Sequence, residues 1–265
     1  MNETEAWLVE WHARFPGATS RFCAQARPSS YAWLAAHAGP GDRVLDLACG
    51  DGYLLELVRA RGVARAVGLD LSPSELRAAR ARLGDGVELV EGRAQALPFA
   101  DGSFDRVTSH LALMLMTPIE PVVAEIHRVL RPGGRLAAIV GATRPTASPS
   151  EPDAWRAFVG FCMQQSLVGP PLGNPRAGDA SELPALLARF SDVRVEPLRL
   201  DLSGTPDEVW SLFEHTYLPA MLPAERRDAF DRDGRALVAS LAGPGGQVPC
   251  AMEVLAVEAV RGVGA

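Results

Sequence analysis

The sequence predicts an α/β fold built on a doubly wound, mostly parallel sheet, and three observations predict it. Residues 43–58 read as a strand, a glycine turn and a leucine-rich helix in direct succession. Further short apolar runs alternate with helical patterns along the chain, which is typical of parallel sheets. Residues 72–75, Ser-Pro-Ser-Glu, carry the signals of a helix start: a serine cap, a proline at the first helical position and a glutamate placed for a capping box.

The glycine turn is the first candidate binding site. Gly50 and Gly52 lack a Cβ atom, so a ligand can approach their backbone closely. The N–H groups of the following helix point to the same place and favour a small polar or anionic ligand. Leu55 occupies the third glycine of a dinucleotide-binding pattern, which speaks against pyrophosphate. Asp70, at the end of the next strand, suits the two hydroxyls of a ribose, so the spacing indicates a nucleoside.

The other elements follow in order around this core. The apolar periodicity and the turn signals predict helices over residues 3–15, 31–37, 119–130 and 179–190, another helix starting at residue 205, and further strands over 66–69, 87–90, 104–109, 136–140, 193–200 and 250–260. We therefore expect an N-terminal helical cover (1–40), a ligand-binding core (41–142) and a remainder (143–265) that completes the sheet and carries lid insertions at about 143–190 and 203–249.

Composition excludes several classes of function. The net charge of −6 disfavours a nucleic-acid substrate, which would require a basic face. Every basic side chain is arginine, so Schiff-base and lysine-base chemistry are excluded. The four cysteines are far apart, which indicates neither a metal site nor a disulfide framework. The sequence has no apolar run of 18 residues and no charged-then-apolar leader, so we expect a cytoplasmic protein without a membrane partner.

Four motifs occur in a fixed order: DLACGDG at 46–52, GLDLS at 68–72, LPF with SFD at 97–105, and RVLRPGGRL at 128–136. In this order they resemble the class I S-adenosylmethionine-dependent methyltransferases, in particular the small-molecule branch with the quinone-biosynthesis enzymes. The resemblance covers about residues 41–141. It implies a Rossmann-like, seven-stranded, doubly wound and mostly parallel sheet with an antiparallel last strand.

The resemblance also implies the cofactor, S-adenosyl-L-methionine, with S-adenosyl-L-homocysteine as product. It places Asp70 on the ribose and both Asp46 and Asp51 at the methionine end. The cofactor-binding residues that it implies are Tyr31, Asp46, Ala48, Gly50, Gly52, Asp70, Leu71, Ala94, Gln95 and Ser109.

One loop departs from the pattern of the family. Arg93 stands where the family has an aspartate, and Gln95 stands where it has a glutamate. A guanidinium cannot accept a hydrogen bond, so the adenine amino group must be bound by Gln95 or by backbone. The backbone N–H of Ala94 or Gln95 can serve the ring nitrogen.

Three histidines are candidates for a general base, because the unperturbed pKa of histidine is about 6.5. His110 follows the fourth strand, and ligands of open α/β sheets bind at strand ends. His215 lies in a predicted aromatic helix of the second insertion, and His12 lies in the N-terminal helix. Each could instead be a hydrogen-bonded polar group near the pocket.

These features lead to three hypotheses of function. The first is a methyltransferase that moves a methyl group to an O, N or C atom of a small, largely apolar metabolite, in small-molecule or secondary metabolite biosynthesis, as a monomer or homodimer. The second keeps the same cofactor in a structural role, and the protein catalyses a rearrangement or only binds a ligand. The third, a nicotinamide-dependent dehydrogenase, is disfavoured by Leu55 and by the Pro-Gly-Gly at 132–134.

Overall fold

The computed structural model describes residues 1–143 and 153–263. Within this part of the chain seven strands form a single sheet. They are β1 (Arg43–Leu47), β2 (Arg65–Asp70), β3 (Glu88–Glu91), β4 (Phe104–His110), β5 (Leu130–Gly141), β6 (Ser191–Asp201) and β7 (Ala251–Val260). Residues 144–152, which belong to the first predicted insertion, lie outside the described residues.

The strand order in the sheet is β3-β2-β1-β4-β5-β7-β6. Strands β1 to β5 pair in parallel, whereas β7 is antiparallel to both of its neighbours, β5 and β6. The predicted sheet with its antiparallel last strand is therefore confirmed. The chain order reverses between β1 and β4, and this reversal opens a crevice at the carboxyl ends of the parallel strands, where ligands of such sheets bind.

Helices cover both faces of the sheet. They are α1 (Glu3–Arg14), α2 (Ala18–Cys23), α3 (Ser30–Ala36), α4 (Tyr53–Arg59), α5 (Pro73–Leu83), α6 (Ile119–Val129), α7 (Ala154–Met163), α8 (Leu183–Leu186), α9 (Pro206–Phe213), α10 (Tyr217–Ala220) and α11 (Arg227–Ser240). In β5, Ala137 and Ile139 pack in one core cluster with α3 and α7, whereas Leu136, Ala138 and Val140 pack in the other with α6. This alternation is the doubly wound arrangement that the sequence predicts.

An aromatic cluster joins the two insertions on one face of the sheet. Phe158 of α7 stacks on Phe213 of α9 with ring centroids 4.3 Å apart, and Phe161 stacks on Phe230 of α11 at 4.8 Å. Gly234 of α11 allows a close approach, because a Cβ atom there would lie 2.1 Å from the Trp210 ring. The helices of both insertions thus form one packed layer.

Two predicted helix boundaries and one predicted strand boundary were wrong, each for an identifiable reason. The helix predicted over 179–190 is reduced to α8, whose first turn holds a proline that a helix interior would not tolerate. The helix from residue 205 ends at Phe213, where the Thr216 hydroxyl donates to the Phe213 carbonyl at 2.9 Å. Strand β5 begins at Leu130 rather than Leu136, because Leu130 already pairs with Phe104 before a register shift.

The predicted N-terminal helix is confirmed as α1, and a capping box fixes its start. The Asn2 side chain accepts from the Glu5 backbone N–H at 2.8 Å, and the Glu5 side chain accepts from the Asn2 N–H at 2.9 Å. Trp11 points inward and is buried. Among the helices of the described residues, none is both long and apolar enough to cross a membrane.

Candidate functional site

A cleft of about 1040 Å³ lies at the carboxyl ends of β1, β2 and β4, at the point where the strand order reverses. Its floor consists of residues at the ends of these strands and just after them, namely Asp46 with 48–51, 70–72 and 110–112. Its roof consists of α1 and Tyr217. Of the predicted cofactor-binding residues, those that line the cleft are Tyr31, Asp46, Ala48, Gly50, Asp70, Leu71, Ala94 and Gln95.

The two glycines of the turn have different roles. A Cβ atom on Gly50 would meet nothing closer than Glu75 Oε2 at 3.8 Å, so its backbone is open to a ligand. A Cβ atom on Gly52 would lie 2.7 Å from Leu83 of α5, so this glycine admits a helix rather than a ligand. Gly52 does not line the cleft, so the structure does not bring this predicted cofactor-binding residue to the site.

The missing third glycine is replaced by a glycine on the facing strand. Leu55 is fully buried, and a Cβ atom on Gly68 of β2 would lie 2.6 Å from its Cδ1 atom. The same Cβ would lie 2.7 Å from the Cys49 sulfur. Close packing of α4 on the sheet is thus achieved by removing a side chain from β2 rather than from the helix.

Asp70 ends β2 in the position that the sequence predicts. Its Oδ2 atom accepts from the Gly50 N–H and its Oδ1 atom accepts from the Ser72 N–H, both at 2.8 Å. Burial raises the pKa of Asp70, whereas these two backbone donors and the neighbouring His12 lower it. Each carboxylate oxygen keeps a lone pair for a further donor, such as the hydroxyls of a sugar.

Asp46, at the end of β1, is buried with one unpaired oxygen. Its Oδ1 atom accepts from the Thr108 hydroxyl at 3.1 Å, while Oδ2 has no hydrogen-bond partner among the described residues. Burial, the largest cause, and the charge of Asp70 raise the pKa of Asp46 to about 7, although the hydrogen bond from Thr108 acts in the opposite direction. A cationic donor in the cleft would satisfy this oxygen.

The charge of the cleft is predominantly negative. Five carboxyl side chains line it, those of Glu5, Asp46, Asp51, Asp70 and Glu75. Arg93 is the one arginine in the described lining, and it already pairs with Glu5 at 2.8 Å. The sequence-based expectation of a polar or anionic ligand is corrected in this respect, because such a cleft repels anions and attracts cations.

His110 lines the cleft but is poorly suited to take up a proton. Its Nε2 atom bonds to the Ser30 hydroxyl at 2.9 Å, and its ring stacks on Tyr31 with centroids 3.8 Å apart. Burial lowers the pKa of His110 to about 3. At neutral pH this histidine is therefore an uncharged wall of the cleft.

Besides Gly52, two predicted site residues lie outside the cleft. His215 follows the end of α9, is exposed, and packs its ring against Phe15 at 5.4 Å. Its predicted place on a helix over the cleft was wrong, because α9 ends two residues earlier. Ser109 is fully buried and donates its hydroxyl to the Leu47 carbonyl at 3.0 Å, so it stabilises the pairing of β1 and β4 rather than facing a ligand.

The loop with Arg93 and Gln95, which differs from the family pattern, is held by Glu5. Sequence reasoning did not identify Glu5 as part of the site. The Glu5 carboxylate accepts from Arg93 at 2.8 Å and from the Gln95 amide nitrogen at 3.2 Å. The Gln95 nitrogen also donates to the Thr117 carbonyl at 3.4 Å. With both of its donors directed to protein acceptors, the Gln95 amide oxygen remains as an acceptor. No local signal links Glu5 to this loop, since the two are about 90 residues apart.

The roof brings together a second set of residues that sequence reasoning did not combine. His12 Nδ1 lies 2.6 Å from Glu75 Oε1, and His12 Nε2 lies 3.2 Å from the Tyr217 hydroxyl. The sequence assigns Glu75 to a capping box, but its carboxylate instead accepts from the Gly17 N–H and contacts His12. Ser72 does cap α5, as predicted.

The described residues of the first insertion do not line the cleft. Its helix α7 packs on α11 and β7 instead, in the aromatic cluster. The cover over the cleft therefore comes from the N-terminal helix α1 and from Tyr217 of the second insertion.

Residues 45–138 match the family model described as a methyltransferase domain. This region of the chain is therefore similar to methyltransferase domains. The match runs from β1 through most of β5 and includes the whole floor of the cleft. Helix α1 and Tyr217 lie outside the matched range.

Relatives support the same assignment over this region. The demethylmenaquinone methyltransferase of Beutenbergia cavernae is 39% identical over 150 residues, which are 55% of this chain and 58% of that protein. An uncharacterized methyltransferase of Synechocystis is 41% identical over 109 residues, which are 40% of this chain and 50% of that protein. The chain spans about half the length of the curated relatives it matches.

Solved structures share the fold beyond the methyltransferase domain. A phosphoethanolamine N-methyltransferase of Haemonchus contortus, in complex with S-adenosylhomocysteine, has a TM-score of 0.61 at 18% identity and covers 99% of this chain and 61% of its own. The [4+2]-cyclase SpnF has a TM-score of 0.53 at 20% identity, and the match covers 88% of this chain and 80% of that one. Because a protein described as a cyclase shares this fold, the fold alone does not determine the reaction.

Proposed function

We propose that this protein is an S-adenosyl-L-methionine-dependent methyltransferase that acts on a small, largely apolar metabolite. The observation that carries the proposal is the acidic floor of the cleft, which contains both Asp46, whose Oδ2 atom has no partner among the described residues, and the strand-end carboxylate of Asp70. A ligand with a sugar and a positively charged tail satisfies both groups, whereas the pyrophosphate of a dinucleotide would be repelled.

The residues of the cleft have separate roles in this proposal. Asp70 accepts from the ribose hydroxyls, and Gln95 accepts from the adenine amino group with the backbone of Ala94 beside it. Asp46 accepts from the ammonium group of the methionine end, next to Tyr31. Gly50, Ala48 and Leu71 supply close backbone and apolar contacts. The cofactor supplies an electrophilic methyl group on a positively charged sulfur.

The substrate side of the cleft is apolar and covered by the roof. Leu8 and Val9 of α1 face the cleft together with Leu115 and Met116. Such a lining suits a small apolar molecule rather than a nucleic acid. The relatives described as demethylmenaquinone methyltransferases support this class of substrate. We further infer a cytoplasmic protein that acts as a monomer or homodimer in small-molecule or secondary metabolism.

Calorimetric titration tests the choice of cofactor. S-adenosylhomocysteine and S-adenosylmethionine should bind the purified protein, and NAD should not. Binding of NAD in preference to S-adenosylhomocysteine would contradict the proposal. Methyl transfer is tested by incubation with a metabolite panel and S-adenosylmethionine that carries a deuterated methyl group, with detection of the mass increment in the products.

A second candidate function is a rearrangement in which the same cofactor has a structural role. The shared fold with the protein described as a cyclase favours this candidate. In that case S-adenosylhomocysteine would support turnover as well as S-adenosylmethionine does, and no product would carry the deuterated methyl group. Methyl transfer requires the opposite result in both measurements.

A further inference from the structure

Three side chains from distant parts of the chain form a hydrogen-bonded series in the roof of the cleft. His12 of α1 lies between Glu75 of α5 and Tyr217 of α10, at 2.6 Å and 3.2 Å respectively. The Glu75 side chain is 3% exposed and that of His12 is 18% exposed. Both carboxylate oxygens of Glu75 also lie 3.0 Å from the Gly17 N–H. All three side chains line the cleft.

This arrangement determines which nitrogen of His12 can accept a proton. An ionised carboxylate can only accept hydrogen bonds, so the Nδ1 atom that faces Glu75 carries the hydrogen. The Nε2 atom then presents its lone pair toward the cleft, where the Tyr217 hydroxyl donates to it. A histidine oriented by a carboxylate, with its second nitrogen accepting from a hydroxyl group in the cleft, has the geometry of a general base.

His12 and His110 lie in different environments. Burial lowers the pKa of His110 to about 3, so that histidine takes up no proton near neutral pH. His12 is only partly buried, and it contacts the Glu75 carboxylate directly. The other titratable group that contacts it is the Tyr217 phenol, whose pKa burial raises above its usual value.

We propose that His12, oriented by Glu75, is the base that removes the proton from a hydroxyl group of the methyl acceptor, and that the acceptor is a phenol or an enol. The inference rests on the proposed methyl transfer. The proton moves from the acceptor oxygen to His12 Nε2, and the electron pair of that O–H bond is left to the acceptor. The acceptor forms the new bond to the methyl carbon, while the electron pair of the broken methyl–sulfur bond stays on sulfur.

The cleft favours this class of acceptor over charged ones. Its five carboxyl groups would repel a carboxylate or phosphate substrate, whereas its apolar lining suits a neutral aromatic or enolic molecule. A phenol is a weak nucleophile until its proton is removed, so a positioned base is useful for this substrate in particular. A primary or secondary amine, in contrast, attacks in its neutral form.

The test uses 4-nitrophenol as a probe, because its ionised form has a distinct absorbance. The protein is first saturated with S-adenosylhomocysteine, and the probe is then titrated at a pH below its own pKa. We expect binding to produce the phenolate absorbance in the wild-type protein, as the proton moves to His12. The signal should be lost in His12→Gln and Glu75→Gln, and it should persist in Tyr217→Phe, which leaves Nε2 free.

The matched control is His215→Gln, since His215 is exposed and lies outside the cleft. Its phenolate signal should equal that of the wild type. Calorimetry with S-adenosylhomocysteine shows whether His12→Gln is folded and separates the two proposals. If S-adenosylhomocysteine fails to bind the wild type, the proposed function is wrong. If it binds but the probe is not ionised, does not bind, or is ionised equally in His12→Gln, the role of His12 is wrong.

Discussion

In the floor of the cleft Asp70 accepts from the backbone N–H groups of Gly50 and Ser72, whereas in the roof His12 is held by the side chains of Glu75 and Tyr217. The floor contacts join residues 20 and 2 positions apart, but the roof contacts join residues 63 and 205 positions apart. The floor is thus organised by a local motif, and the roof depends on the docking of distant helices.

This difference suggests a division of roles between the two regions. Backbone donors are fixed by the strands and the turn, so the floor is suited to a cofactor whose position must not change. Contacts between side chains on separate helices can break one by one, so the roof can open for the entry of ligands. Substitutions in the floor should therefore change the affinity for the cofactor and the free energy of unfolding. Substitutions in the roof should change how often α1 opens locally.

The largest effect is expected for Asp70→Ala in the floor. Two hydrogen bonds from ribose hydroxyls to a carboxylate contribute roughly 3–6 kcal/mol, so the dissociation constant for S-adenosylhomocysteine should rise about 10²- to 10⁴-fold. Calorimetry measures this change. The matched control is Asp85→Ala, since Asp85 is exposed and remote from the cleft lining. An affinity within the range of the control would contradict the assignment of Asp70.

The next effect concerns the stability of the ligand-free floor. Burial raises the pKa of Asp46 to about 7 from an ordinary value of 3.8. The folded state therefore holds a proton that the unfolded state releases near pH 4, and this contribution to stability is lost as pH rises toward 7 and beyond. Between pH 5 and pH 8 the wild type should lose roughly 2–3 kcal/mol through this group.

Urea unfolding of Asp46→Asn at the two pH values measures this contribution. The variant has no titratable group at this position, so its free energy of unfolding should fall less than that of the wild type over the same interval. Saturation with S-adenosylhomocysteine should reduce the difference, because an ammonium group beside Asp46 favours the ionised form. Equal pH dependence of the two proteins would show that Asp46 is ionised in the ligand-free state.

The difference between local contacts in the floor and long-range contacts in the roof explains which parts of the site could be predicted from the sequence. The strands β1, β2 and β4 and the place of Asp70 follow from apolar runs and glycine spacing, which are local signals. Glu75 shows the limit of such signals. Its position three residues after Ser72 indicates a capping box, but the Gly17 N–H and His12 bind its carboxylate instead. The N-terminal helical cover was predicted, but its contact with Glu75 could not be, because nothing in the sequence near Glu75 indicates that α1 docks there.

The third effect is expected for Gly68→Ala in β2, which should disturb the packing beneath the floor of the cleft. A Cβ atom on Gly68 would lie 2.6 Å from Leu55 and 2.7 Å from Cys49, both of which are buried. Gly68→Ala should therefore lower the free energy of unfolding by about 1–3 kcal/mol, as measured by urea unfolding. Gly160→Ala is the control, since a Cβ atom there meets nothing within 4 Å in the described structure, and it should stabilise α7 by about 0.4–1 kcal/mol. Comparable losses in both variants would refute the packing argument.

The smallest effect is expected in the roof, where Glu5 connects α1 to Arg93 and Gln95. Burial raises the pKa of Glu5, but the hydrogen bonds from Arg93 and from the Asn2 N–H outweigh burial, so the pKa is lowered overall. The Glu5 carboxylate therefore stabilises the folded state at pH values above the ordinary pKa of a carboxyl group, and this contribution is lost as the pH falls through the lowered pKa. Glu5→Gln removes the charge and should cost about 1 kcal/mol, since Arg93 is partly exposed and the pair is screened.

Hydrogen–deuterium exchange locates this loss, because opening of α1 alone changes the exchange of its own amides. Exchange in α1 should become about fivefold faster in Glu5→Gln at neutral pH, while exchange in β1 and β2 should not change. Glu10→Gln is the matched control on the same helix, since Glu10 is exposed and pairs only with Arg14 among the described residues. If exchange increased in β1 as strongly as in α1, the roof and the floor would open as one unit, and the division between them would be wrong.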